Sequence, residues 1–119
     1  MISFFLHIFA LLLVAHAFCD YPLQGDFLAR GKNHLAPLPG IPWWQCLGAH
    51  ALIHAGAVAY VTGSDLLGVL EFICHFAIDC LKSAGYLSFD ADQSLHWLCK
   101  ALWAALLVFE PSSVVRLPL

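Results

Sequence analysis

Four times in this chain a histidine or aspartate recurs four residues after another: His16 with Asp20, His50 with His54, His75 with Asp79, and Asp92 with His96. Each pair lies in, or closes, a stretch apolar enough to cross a bilayer. On a helix, residues i and i+4 share a face, so each pair is a two-pronged polar patch on an otherwise greasy rod. Ionisable groups in membrane helices are costly, and they face a partner, a cavity or an ion rather than lipid. The pattern therefore constrains the fold: the helices that carry these pairs are expected to meet one another.

Composition points the same way. Of the 119 residues, 61% are hydrophobic and only 11% charged, and the mean hydropathy is +0.81. Soluble domains run near 45–50% apolar and about 25% charged. The length gives room for one domain, residues 1–119, embedded in a lipid bilayer. A formal charge of −3 with five Lys and Arg is too little positive charge for a nucleic-acid surface. Cys19, Cys46, Cys74, Cys80 and Cys99 are scattered without a C-x-x-C and read as buried small residues rather than disulfides or metal ligands.

Four spans are expected, at about residues 2–20, 43–61, 65–84 and 91–109. The first could be taken for a signal peptide, but it has no Lys or Arg at its start and its apolar run is long, so it reads as a retained span. Between spans one and two, Leu23, Phe27 and Leu28 share a side of a short helix that also carries Asp26, Arg30 and Lys32, the pattern of an interfacial helix. Pro37, Pro39 and Pro42 stiffen the return, and Trp43-Trp44 suits the headgroup level. Ala51, Ala55 and Ala59 give span two a small-residue face for close packing at the centre of the bundle. Ser64 or Asp65 is expected to cap span three and Gly85 to end it. Asp90 with Gln93 resembles a capping box for span four, which Pro111 ends. The fold class is thus all-α: a four-helix transmembrane bundle with a short interfacial helix.

Arg30, Lys32 and Lys82 outweigh Arg116 on the opposite side. The positive-inside rule puts residues 21–42 and 83–90 in the cytoplasm and both termini outside, as expected of a multi-pass protein of a bacterial inner membrane. At about 1.5 Å per residue, His16, His50, Asp79, His75 and His96 all fall roughly 6–13 Å from the cytoplasmic ends of their spans. The faces agree as well. Glu71, His75, Asp79 and Lys82 share one arc of span three, Asp92, His96 and Lys100 one ladder of span four, and Cys46, His50 and His54 one line of span two. His7 lies on the far side of span one and is left out.

Two chemistries suit such a locus. His16, Asp20, His50, His54, His75, Asp79, Asp92 and His96 are candidate ligands for a divalent metal such as zinc, much as ferritin-like bundles aim carboxylates and histidines inward. Glu71, Lys82, Gln93 and Lys100 would complete a polar network around it. An ion with an open coordination position could activate water, with an Asp as base, and make a small membrane hydrolase. No HExxH, G-x-S-x-G or phosphate-cradling loop specifies a reaction. The alternative is a non-catalytic accessory whose buried network only sets helix order, with Asp79–Lys82 and His96–Lys100 as local pairs. A proton relay is a further reading, though four spans without a repeat are few for a transporter; ordered polar faces speak against a holin-like pore.

The run His16-x-x-x-Asp20-Tyr21-x-x-Gln24, then Asp26-Phe27 and Lys32, resembles the opening of a family of small bacterial and phage membrane proteins, the domain of unknown function 3307. His50, His75-x-x-x-Asp79-x-x-Lys82 and Asp92-Gln93-x-x-His96 match its later motifs, so the resemblance covers nearly the whole chain. It implies a multi-span, phage- or bacterium-encoded membrane protein and brings no established activity or protein partner. The resemblance assigns no role to His54 or to the link Pro37–Pro42.

Overall fold

The computed structural model describes residues 1–109, and every regular element among them is an α-helix. These are α1 (Ile2–Asp20), α2 (Gly25–Gly31), α3 (Trp43–Thr62), α4 (Asp65–Ser83) and α5 (Phe89–Phe109). The four long helices lie close to the bounds expected of the four spans, and α2 is the short helix between the first two. The stop expected at Pro111, the tail after it and Arg116 lie outside the described residues.

The long helices close into a ring in which α1 packs on α3, α3 on α4, α4 on α5 and α5 on α1, while α2 leans on α3. Helix α3 approaches α4 closely at Gly68, where an added Cβ would sit 2.9 Å from the carbonyl oxygen of Ala55 and 3.0 Å from the Ala59 Cβ. The small-residue face of α3 thus meets a glycine on its neighbour, as close backbone packing requires. Gly31 plays a similar part for α2: a Cβ there would lie 2.6 Å from Cys46 Sγ, so α2 can press its end against α3.

Local chemistry explains the helix ends. Ser64 caps α4, its hydroxyl oxygen accepting from the Leu67 N–H at 3.3 Å. Gly85, at φ +82°, ends α4 in a Schellman turn in which Tyr86 N–H donates to Leu81 O and Gly85 N–H to Lys82 O. The expected capping box of α5 does not form. Ser88 is the cap, its oxygen accepting from Ala91 N–H at 3.1 Å, because Gln93 turns inward to two carboxylates instead. In the proline-rich link, Pro39-Gly40 makes a tight turn closed by Ile41 N–H donating to Leu38 O, with Gly40 at φ +73°.

The interior of the ring has two halves. Ile8, Leu12, Val58, Leu67, Trp103, Ala104 and Leu107 fill one with apolar packing. The other half, reached by the end of α1, the start of α3, the end of α4 and the start of α5, is filled with polar side chains. Among the described residues α1 is the one helix long and apolar enough by itself to cross a membrane. The polar residues that lower the hydropathy of α3, α4 and α5 include His50, His54, Glu71, His75, Asp79, Asp92, His96 and Lys100, and all of these are buried inside the ring.

Candidate metal centre

Helical repeat places the site. His16 and Asp20 end α1, His50 and His54 occupy consecutive turns of α3, Glu71, His75 and Asp79 descend one face of α4, and Asp92, His96 and Lys100 rise along α5. The ring turns all of these faces inward. His50, His54, His75 and His96 are at most 1% exposed. Imidazole centroids lie 3.7 Å apart for His54–His75, 4.2 Å for His75–His96, 5.0 Å for His50–His75 and 5.2 Å for His16–His96. His7 is exposed on the outside of α1.

Carboxylates thread the cluster. Asp20 Oδ1 lies 3.0 Å from His54 Nε2 and 3.3 Å from His50 Nε2, and its Oδ2 lies 3.2 Å from His16 Nε2. The Gln93 amide donates to Asp20 Oδ2 at 3.1 Å and to Asp92 Oδ2 at 3.2 Å, and its carbonyl oxygen faces His16 Nε2 at 3.2 Å. His96 Nε2 lies 3.3 Å from Asp79 Oδ1 and 3.6 Å from Asp92 Oδ1.

At the border with the apolar half, Glu71 organises the deepest part. Lys100 Nζ donates to its Oε1 at 2.5 Å and Trp103 Nε1 to its Oε2 at 2.7 Å. His75 Nδ1 lies 3.1 Å from Oε1. A carboxylate only accepts, so Nδ1 carries the proton in the neutral ring and the lone pair is left on Nε2. That nitrogen faces the cluster and has no hydrogen-bond partner among the described residues. Both ring nitrogens of His50, His16 Nδ1, His96 Nδ1 and Asp92 Oδ1 are likewise buried without a hydrogen-bond partner among the described residues. Orphaned polar atoms are rare in protein interiors, and here several gather in one place.

Donor atoms meet in three groups, each with its members within 4.8 Å of one another: Asp20, His50, His54 and His75; His16, His75 and His96; and Asp79, Asp92 and His96. The first and third groups share no residue. A divalent ion fits these nitrogen and oxygen donors, and the first group offers the four ligands of a tetrahedral site.

The expected local ion pairs do not form. Asp79 pairs with Lys32, whose Nζ donates to Oδ2 at 2.7 Å, and Lys100 pairs with Glu71, while Lys82 donates to the Leu87 carbonyl oxygen at 3.4 Å. In each case another element brings a better-placed partner. Lys32 was expected on the surface helix, yet it reaches the site because Gly31 lets α2 close on α3. Trp103 was also missed, although it continues the spacing of His96 and Lys100. A cavity of about 400 Å³ opens at this end of the bundle, lined by Asp20, Gln24, Lys32, Asp79, Lys82, Asp92 and Gln93 among others.

No curated protein and no solved structure matches the chain. A family profile does, over residues 8–116, a range that takes in every residue of the cluster. The chain belongs to the family described as Protein of unknown function (DUF3307).

Proposed function

We propose that this chain is a polytopic membrane protein that holds a divalent cation between Asp20, His50, His54 and His75 and uses it for hydrolysis. The orientation of His75 carries the reading. Its Nδ1 is fixed by a carboxylate and its Nε2 is unpartnered toward Asp20 and the α3 histidines. This is the carboxylate–histidine arrangement that second shells impose on metal-ligating imidazoles.

The membrane reading rests on an inside-out distribution. Lys100, Glu71 and the histidines lie inside, while Leu11, Val14, Phe18, Leu52, Val69, Ile73, Trp97 and Leu102 are exposed outside. Helices of 19 to 21 residues reach about 30 Å, the thickness of a hydrocarbon core. Lys32 and Lys82 line the cavity, and with Arg30 two residues before Lys32 they favour that end on the cytoplasmic side. A purely structural network explains Glu71 with Lys100 and Trp103, but it leaves His75 Nε2 and His50 Nδ1 without a hydrogen-bond partner among the described residues.

Elemental analysis of detergent-purified protein tests the centre. Stoichiometric zinc, manganese or iron is expected in the wild type, with at least a tenfold loss of affinity in His75→Ala. Wild-type protein that folds but neither retains nor takes up any divalent ion would sink the reading.

A further inference from the structure

We infer that Asp79, Asp92 and His96 form a second cation position on the floor of the end cavity, and that the cavity takes a phosphate monoester between that position and Lys32. This deepens the proposed metal centre and rests on it.

The two positions differ in kind. The Asp20, His50, His54 and His75 group supplies four ligands, and of these only Asp20 lines the cavity. The Asp79, Asp92 and His96 group supplies three, and both its carboxylates line the cavity, which leaves coordination open toward it. Asp92 is 6% exposed and its Oδ1 has no hydrogen-bond partner among the described residues. The groups abut: Asp79 Oδ2 lies 3.6 Å from His50 Nε2 and 3.8 Å from His75 Nε2. Adjacent divalent ions of this sort clamp the attacking and leaving oxygens of an in-line displacement.

Charge selects the substrate. Two divalent ions outweigh Asp20, Asp79 and Asp92, and Lys32 and Lys82 add to the excess at the cavity wall, so a dianion is complementary. Lys32 now neutralises Asp79 at 2.7 Å. An ion on Asp79 takes over that task and frees the ammonium for a phosphoryl oxygen. A volume of about 400 Å³ suits a small ester or a headgroup, and the cavity lies at the helix ends, where bilayer headgroups lie. In the hydrolysis, the water oxygen bonds to phosphorus as the P–O bond to the alcohol breaks. One water proton leaves on the alcohol and the other stays on the released phosphate.

The test uses full-length protein in detergent, loaded with manganese, freed of excess ion and analysed for bound metal. Phosphate release is then followed from p-nitrophenyl phosphate and from phosphatidic acid in mixed micelles. Two ions per chain are expected in the wild type. Asp92→Asn and His96→Gln should each retain one, which also reports that they fold, and should lose phosphate release by about 100-fold or more. Lys32→Met should keep both ions and raise KM. Release from phosphatidic acid alone assigns a lipid ester, and release from p-nitrophenyl phosphate assigns a soluble one. A wild type that holds one ion, or an unchanged count in both variants, overturns the second position while the first centre stands. Two ions without release from either probe overturn the substrate. No ion at all removes the underlying reading.

Discussion

Glu71 shows how one residue can be both structural and part of the site. Its carboxylate accepts from Lys100 and Trp103 and orients His75, all within the bundle interior. Lys100 is 1% exposed, so removing its partner strands a charge away from water. Glu71→Gln is therefore expected to lower stability by about 3–5 kcal/mol, read from unfolding in mixed detergent. Adding Lys100→Met should recover part of that loss, since the stranded charge goes with it; simple additivity of the two changes would show that the pair is not coupled. Serial residue spacing made Glu71, His75, Asp79 and Lys100 visible as inward-facing groups. It misassigned their partners, because a neighbour four residues along the same helix competes with side chains that other helices bring nearer.

Elements pack as they do because small residues fall where backbones cross. Gly68→Ala would drive a Cβ into Ala55 and Ala59 and should cost about 1–3 kcal/mol of stability. Gly56→Ala, with nothing within 4 Å of the added carbon, should stay within about 0.5 kcal/mol of wild type in the same unfolding measurement. Equal effects would mean that α3 and α4 do not meet at this crossing. Helix bounds were legible because Ser64 and Gly85 are local signals that act on their own turn. The start of α5 was not, since the competing demand of Asp20 and Asp92 for the Gln93 amide depends on a contact with α1. Helix α2 is exposed along most of its length, in keeping with a surface helix, and only the tertiary contact of its end with α3 shows that Lys32 reaches Asp79.

At the scale of the whole molecule, one half of the interior is polar, the other is apolar, and many large apolar side chains lie on the outside. Among the described residues α1 alone is long and apolar enough to cross a membrane, and buried polar residues lower the hydropathy of α3, α4 and α5. Trp97 is 52% exposed and Trp103 is 3% exposed on the same helix. In vesicles containing brominated lipid, a variant retaining only Trp97 should be strongly quenched and one retaining only Trp103 much less. Equal, weak quenching of both would place α5 outside the hydrocarbon.

By itself, the sequence determined which faces of the helices are polar and at what level along each helix they occur, because a 3.6-residue repeat and a fixed rise per residue turn spacing directly into position. Tertiary structure alone decided which polar group meets which. The order of helices around the ring, the glycine-permitted approach of α2 and α4 to α3, and the gathering of donors into three overlapping groups arise from contacts between residues far apart in the chain, and no local pattern encodes them.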